Sequence, residues 1–456
     1  MRNSSLFYLL GVTVVTPACS TVGNVNSERP NIIFILSDDM GVGDLSIYGG
    51  QILPTPNIDK MAQEGILFTQ YYSAAPVSSP SRAGLITGKH PANWNITSYL
   101  QTRAGNRDAE MADYLTVEAP SLPRVLKAGG YKTAHFGKWH LGGGRDVYNA
   151  PSITEYGYDV YSSTYESPDP DPLLTATDWI WSKEDSIKRW SRTAYFVDKT
   201  LKFLRENKGK PCFVNLWPDD VHTPWIGSKE EMDLSPKGTN SKENLKTVLK
   251  EYDYQIGRLL RSLKEEGLDK NTIVIFTSDN GAAPSFQHER NTGLRGQKAS
   301  LFEGGIRMPF IVWGPKANIP MGKVDDTTVI SALDMFYSLC AITDTHTPKQ
   351  FDSDGEDMSR AMTGMPQDRK KAIFWEYKRN DSPAFPKAMG ADASPNVAIR
   401  EGEWKLLVNK DGSDVMLFNL KEDSFEKNNV KDTYPEITEN LQKKALGWRN
   451  SLPVLR

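Results

Sequence analysis

Cysteine is scarce in this chain, three in 456 residues. One of them, Cys19, follows an N-terminal apolar run; Cys212 and Cys340 imply no disulfide framework and sit at no metal-ligand spacing. Histidine is scarce too, six in all, which argues against a centre built from several imidazoles. The N-terminal apolar run, Leu6 to Val15, has ten residues, too few to cross a bilayer as a helix. Charge of neither sign dominates. A net charge of −3 lacks the basic surplus of a nucleic-acid binder, so no nucleic-acid partner is expected. There is no internal repeat and no low-complexity segment, which excludes solenoids and biased tails.

What is present supports a folded, exported protein. Hydrophobic residues at 39% and charged residues at 24% allow a sizeable core. Arg2, the run Leu6 to Val15 and Thr16-Pro17-Ala18-Cys19 read as an export signal and its cleavage region. Two fates are open: cleavage after Ala18, or a lipid anchor at Cys19, the one membrane connection the sequence offers. The expected organisation is a signal peptide over 1–18, a tether over 19–29, a main domain over 30–350 and a C-terminal subdomain over 351–456.

From Pro30 onward, apolar runs alternate with helix-like segments. Ile32 to Leu36, Lys132 to Phe136, Phe213 to Leu216, Thr272 to Phe276 and Pro309 to Val312 read as buried strands. Ser121 to Ala128, Thr193 to Arg205 and Asn244 to Glu266 carry apolar residues at helical spacing. This alternation predicts an α/β fold, a large, mostly parallel sheet between two layers of helices. After Phe351 the pattern changes. Ala372 to Tyr377, Asn396 to Arg400, Trp404 to Val408 and Met416 to Asn419 predict an antiparallel sheet, and Tyr434 to Leu452 a closing helix.

Ligand sites in open α/β sheets lie beyond the carboxyl ends of the strands. Two predicted strands end there in acidic or amide pairs, Asp38-Asp39 and Asp279-Asn280. Adjacent carboxylates repel and stay ionised most easily around a cation, and an all-oxygen donor set suits Ca²⁺ or Mg²⁺. The competing reading, that Asp and Asn favour the turn after a strand, loses force when two pairs occupy matching positions. Other strands lead to Lys138 and His140, and to Asp219, Asp220 and His222. Asp219-Asp220 is either incidental or a substrate contact. His90, His135, His288 and His346 read as structural. Ser78-Ser79-Pro80-Ser81-Arg82 reads as a helix entry with Ser79 as cap, Pro80 in the first turn and Gly88 as terminator. A group at Ser78 then faces free helix N–H groups, where anions bind. No Gly-x-Ser-x-Gly elbow surrounds Ser78, so an ordinary serine hydrolase triad is poorly supported.

Ser78-Ser79-Pro80-Ser81-Arg82 followed by Thr87-Gly88 resembles the signature of the type I, formylglycine-dependent sulfatases of the alkaline-phosphatase-like superfamily. Asp38-Asp39 with Gly41, Gly43 and Asp44, Gly137-Lys138-Trp139-His140, His222-Thr223-Pro224, Ser278-Asp279-Asn280-Gly281, Gly296-x-Lys298 and Glu303 to Pro309 follow in the family's order. The resemblance is close from Pro30 to Pro315 and looser through Glu403-Trp404-Lys405-Leu406.

The resemblance implies a sulfuric ester hydrolase in which Ser78 is oxidised to formylglycine (3-oxoalanine). Its hydrate attacks sulfur, the alcohol leaves, and loss of the second hydroxyl's proton expels sulfate. It implies one Ca²⁺, with Mg²⁺ less suited, held by Asp38, Asp39, Asp279, Asn280 and residue 78. Arg82 and Lys138 position the nucleophile and sulfate, His140 is the base, and His222 and Lys298 bind sulfate and protonate the leaving oxygen. Serine rather than cysteine at 78 is similar to bacterial members matured by a radical-SAM enzyme before export to the periplasm or outer membrane. The expected substrate is a sulfated carbohydrate, with galactose or N-acetylgalactosamine glycans such as mucin or glycosaminoglycan in view. Loops bearing aromatic residues at Asn93 to Asp113, Tyr148 to Trp190 and Trp217 to Trp225 are candidate sugar contacts, as are Asp220, Arg103, His288 and Lys378 to Pro395. Two alternatives stay open: a phosphatase or phosphonate monoester hydrolase of the same superfamily, and a glycan-binding protein that leaves Ser78 unmodified.

Overall fold

The computed structural model describes residues 1, 29–177, 180–232, 240–383 and 385–453. The expected signal segment, Cys19, most of the tether and Trp179 lie outside the described residues.

Nine strands form the main sheet: β1 (Asn31–Ser37), β2 (Gly65–Tyr72), β3 (Lys132–Gly137), β4 (Val160–Ser163), β5 (Cys212–Trp217), β6 (Thr272–Ser278), β7 (Arg307–Trp313), β8 (Lys323–Asp325) and β9 (Ile330–Ser331). Their order is β4-β3-β5-β1-β6-β7-β2-β8, with β9 also on β2. Pairing is parallel throughout except on both sides of β7, which alone runs against the rest.

The apolar runs are continuous because both faces of the sheet are covered. On β1, Ile32, Phe34 and Leu36 enter one core cluster while Ile33 and Ile35 enter the other, as the two-residue period of a strand requires. Helices Arg192–Glu206 and Lys242–Glu265 cover one face through Phe196, Leu201, Val248 and Ile256. Helices Ser78–Thr87, Leu122–Ala128 and Met335–Ile342 cover the other through Leu85, Leu126 and Phe336. Each such buried side chain contributes roughly 1.5–3 kcal/mol, so the two layers supply the bulk of the driving force.

The expected α/β fold is therefore present, with three additions. The strands β2 and β4 and the short pair β8 and β9 were not expected. β2 carries a readable apolar start, Ile66-Leu67-Phe68, but its register shifts between Phe68 and Tyr71, which breaks the alternation. β4 is the short, mostly polar run Val-Tyr-Ser-Ser, indistinguishable from loop without its partner β3.

Near the C-terminus, β10 (Ile373–Glu376), β11 (Val397–Glu401), β12 (Trp404–Val408) and β13 (Met416–Asn419) form an antiparallel sheet in sequence order. Val397, Ile399, Leu406 and Val408 pack under the closing helix Pro435–Ser451 with Leu441 and Ala445. The alternate residues Ala398 and Leu407 pack against Leu301, Phe302 and Ile306 of the main domain. A fully buried Lys405 joins the layers, 2.9 Å from both Glu303 and Glu426. Met358, Ala361 and Met362 pack in the same core cluster as helix Met335–Ile342.

Candidate active site

Parallel pairing of β1 with β6 runs in register to Ser37 opposite Ser278, so the next residues of both strands emerge side by side. Asp38-Asp39 and Asp279-Asn280 thereby meet although 240 residues separate Asp39 from Asp279, whose Oδ1 accepts the Asp39 N–H at 3.2 Å. β3 delivers Lys138 and His140 to this edge, β4 delivers Glu166, and β5 delivers Asp219 and His222. Because β7 runs backwards, its incoming loop also lies here and brings Lys298. β2 ends at Tyr72 and leads into Ser78. Asp38, Ser78, Lys138, His140, Glu166, Asp219, His222 and Lys298 line a pocket of about 210 Å³.

The local backbone is set up for these placements. Helix Ser78–Thr87 begins at Ser78 itself, with extended Val77 as its cap residue, and ends at left-handed Gly88. Ser79 is therefore not the cap: its hydroxyl accepts the Leu100 N–H at 2.9 Å, tying the helix entry to a neighbouring loop. Pro80 sits inside the first turn, where its missing N–H costs nothing. Asp39 and His140 hold φ of 60° and 53°, a left-handed region costly for residues with a side chain and concentrated at functional positions. Gly137, three residues before His140, holds φ 124°, and a Cβ there would lie 2.0 Å from the Trp217 carbonyl oxygen of the adjoining strand.

Three buried carboxylates face three cationic side chains. Asp38 receives Lys138 Nζ at 2.8 Å on Oδ2 and the Ser78 hydroxyl at 3.1 Å on Oδ1. Asp39 receives Lys298 Nζ at 2.7 Å. Asp279 receives Nε and Nη2 of Arg82 at 3.1 and 2.8 Å. Burial raises each carboxyl, but Lys138 with His222 and Arg82 outweighs it at Asp38, holding that group well below the usual range. Lys298 and His222 also outweigh burial at Asp39 and lower its carboxyl. At Asp279 burial and the neighbouring Asp38 prevail over Arg82, and its carboxyl is pushed up to about 6.

This donor set fits a hard divalent cation. Asp279 is an anion whose repulsion by Asp38 the neighbouring side chains do not fully offset, and a cation between them would offset it. Asn280 donates Nδ2 to Asp39 and to the Gly281 carbonyl, leaving its Oδ1 turned toward Ser78, 3.4 Å from the hydroxyl. Asp38, Asp39 and His222 offer ligand atoms within 4.8 Å of one another.

The two site histidines differ in tautomer. His222 Nδ1 lies 2.6 Å from the Thr223 carbonyl and so carries the hydrogen, leaving Nε2 to accept from Lys298 at 3.3 Å. His140 Nε2 lies 3.0 Å from the Leu100 carbonyl and 3.2 Å from Glu166, both acceptors, so the hydrogen is on Nε2. Its Nδ1 is buried with no hydrogen-bond partner among the described residues. Burial pushes His140 down to about 3, so the ring is neutral.

Every residue assigned from the sequence to catalysis or metal binding converges on this edge. Glu166, which the sequence reading did not single out, joins them; a carboxylate just after a strand is the signal, obscured because β4 reads as loop. Asp219 braces the turn that carries His222: it receives Arg189 and Arg192 at 2.8 and 2.9 Å, while Arg189 also holds the Asp219 and His222 carbonyls. Asp220 accepts from Thr193, and Burial together with Asp219 pushes it up to about 6. Arg103 pairs with Asp113 at 2.7 Å and His288 with Asp392 at 3.3 Å. The tryptophans at 139, 217 and 225 are core residues, with Arg82 over the Trp217 ring at 5.2 Å. The aromatic residues that line the pocket are Tyr99 and Tyr165, and Pro386 reaches it from the segment Lys378 to Pro395.

An oxygen-rich, cation-lined pocket at the carboxyl edge of an α/β sheet, with a hydroxyl residue at a helix start, defines a hydrolase of anionic esters. The sequence profile of the Sulfatase family matches residues 30–345. The chain belongs to the sulfatase family and is a sulfuric ester hydrolase. It is 29% identical to an N-acetylgalactosamine-6-O-sulfatase of Bacteroides thetaiotaomicron over 97% of this chain and 98% of that protein. It is 32% identical to the N-acetylgalactosamine-6-sulfatase of Canis lupus familiaris over 78% of this chain and 69% of that protein. Among solved structures, that of Ps i-CgsB in complex with k-i-k-neocarrahexaose superposes with a TM-score of 0.75 at 25% identity, covering 94% of each chain. Among the described residues no helix is long and apolar enough to cross a membrane.

Proposed function

We propose that this protein removes the sulfate ester from a 6-sulfated galactose or N-acetylgalactosamine unit of a mucin- or glycosaminoglycan-type glycan. The observation that carries the reading is the pocket lined by Lys138, Lys298 and Ser78, with Arg82 buried against Asp38 and Asp279 beneath it. The named activities of the two relatives support the sugar and the position.

Oxidised to formylglycine, residue 78 supplies a hydrated aldehyde, with one oxygen as nucleophile toward sulfur and a second hydroxyl whose deprotonation releases sulfate. Asp38, Asp39, Asp279, Asn280 and residue 78 would hold one Ca²⁺, which supplies charge stabilisation to a sulfate oxygen; three carboxylates and an amide suit Ca²⁺ better than Mg²⁺. Arg82 fixes Asp279 and the Lys138 carbonyl, while Lys138 and Lys298 offer ammonium groups to sulfate. His140 takes a proton at Nδ1. Lys298, hydrogen-bonded to the lone pair of His222, donates to the leaving oxygen, and His222 holds it in place.

The maturing partner in this reading is a radical-SAM formylglycine-generating enzyme acting before export to the periplasm or, through Cys19, to the outer membrane. The deciding experiment is a panel of monosulfated sugars with an aryl phosphate control, run with Ca²⁺ and after chelation. Cleavage of 6-sulfated N-acetylgalactosamine or galactose, lost on chelation and regained with Ca²⁺, is expected. Faster phosphate cleavage, or unoxidised Ser78 by peptide mass spectrometry in active enzyme from native cells, would overturn it.

A further inference from the structure

Glu166 grips His140 at two points. Its backbone carbonyl accepts the His140 N–H at 2.9 Å, and its Oε2 stands 3.2 Å from His140 Nε2. The residue so held has a left-handed φ of 53°, a conformation that needs outside support. Glu166 is itself fixed: Oε1 receives Arg145 Nη2 at 2.8 Å, and Oε2 lies 3.9 Å from Lys138 Nζ. Both residues line the pocket with Ser78.

Two acceptors converge on His140 Nε2, and they do different things. The Leu100 carbonyl, at 3.0 Å, is enough to keep the hydrogen on Nε2. A neutral carbonyl does little for a full positive charge. When Nδ1 accepts a proton the imidazole becomes an imidazolium inside a buried site, next to Lys138, where an uncompensated cation is costly. Among the described residues, the Glu166 carboxylate is the anion paired with the ring. Burial opposes its ionisation, but His140, Lys138 and Arg145 hold it down to about 2, so it is charged throughout the working range.

We propose that Glu166 is the positioning residue of the base, holding the His140 ring and balancing the charge it acquires when Nδ1 takes up a proton. The proton moves from a hydroxyl on residue 78 to His140 Nδ1, the Nε2 hydrogen stays in place, and Glu166 remains ionised. The proposal rests on the reading of His140 as base, and goes beyond it by naming the anion that works against burial to stabilise the protonated ring. Arg145 then has a task too, keeping the second carboxylate oxygen from turning away.

The test is a double-mutant cycle in matured, Ca²⁺-loaded enzyme on N-acetylgalactosamine 6-sulfate, with His140→Ala, Glu166→Gln, Glu166→Asp and the pair His140→Ala/Glu166→Gln. Glu166→Gln keeps an acceptor and removes the charge, so kcat should fall about 10²-fold, within the range for loss of acid–base assistance, while KM stays within roughly threefold. Glu166→Asp should recover part of the loss. In the His140→Ala background Glu166→Gln should change kcat little, since it acts through the ring. Independently of turnover, ¹⁵N resonances of His140 in histidine-labelled protein should report the neutral ring with hydrogen on Nε2. A raised KM with kcat intact, a full multiplicative loss in the His140→Ala background, or an Nδ1-protonated ring would overturn the assignment. Near-normal activity of His140→Ala would instead remove the base reading itself, and wild-type-like Glu166→Gln beside inactive His140→Ala would remove only the role of Glu166.

Discussion

Replacing Arg82 by alanine strikes the group on which the anionic half of the site depends. Arg82 is fully buried, gives two hydrogen bonds to Asp279 Oδ2, a third to the Lys138 carbonyl at 2.9 Å, and lies 3.5 Å from Asp38. Burial and Asp38 already push Asp279 up to about 6 with Arg82 in place. Without it, Asp38, Asp39 and Asp279 share two lysines, neither of which contacts Asp279 by an ion pair. Breaking a buried pair by removing one partner costs about 3–5 kcal/mol, and loss of the guanidinium over Trp217 adds on the order of 1 kcal/mol. Urea unfolding at pH 7.5 should therefore show Arg82→Ala destabilised by about 4–6 kcal/mol. Asp279→Asn removes the stranded charge, so the variant Arg82→Ala/Asp279→Asn should recover about half of the loss, a coupling that only contacting groups show. A loss below about 1 kcal/mol for Arg82→Ala, or strict additivity in the double variant, would refute the reasoning.

Two further outcomes follow from the same geometry. Glu426 is fully buried, 2.9 Å from Lys405, and its Oε2 accepts the Glu303 N–H at 2.6 Å. Burial, with Glu303 adding to it, outweighs Lys405 and pushes Glu426 up to about 7. A raised folded-state value means a contribution complete below the unfolded value near 4.5 and lost as pH rises through about 7. Glu426→Gln keeps the acceptor for Glu303, so urea midpoints at pH 5 and pH 8 should lie closer together than in the wild type, by on the order of 1–3 kcal/mol of pH-dependent stability. An unchanged pH dependence would dismiss this account. Gly137→Ala forces a Cβ to 2.0 Å from the Trp217 carbonyl at a φ of 124°, and should lower stability by at least about 3 kcal/mol or prevent folding, read from soluble yield and thermal melts. A variant as stable as the wild type would show that β3 can shift relative to β5.

Much of the fold was legible because its signals are local. Ile32 to Leu36 is apolar without a break because β1 is covered on both faces, and Val397-Ala398-Ile399 and Leu406-Leu407-Val408 are unbroken for the same reason, each strand there serving two layers. Both patterns are fixed by side-chain period and read from neighbouring residues. Gly88 could be assigned to a helix end for the same reason. Local signals also misled. Ser79 carries the side chain of a cap but is used by Leu100, and Trp181, Trp217 and Trp225 of the aromatic loops are buried.

By itself, then, the sequence determined the central buried strands and their covering helices, the charged residues that follow β1, β3, β5 and β6, and the family to which they belong. Only the tertiary structure decided which ends meet. The in-register pairing of Ser37 with Ser278 brings two acidic pairs together, and the single reversed strand β7 returns Lys298 to the same edge. The short strand β4 carries Glu166 to His140. Strand order and direction are set by the packing of the whole sheet, a through-space property that no window of sequence contains.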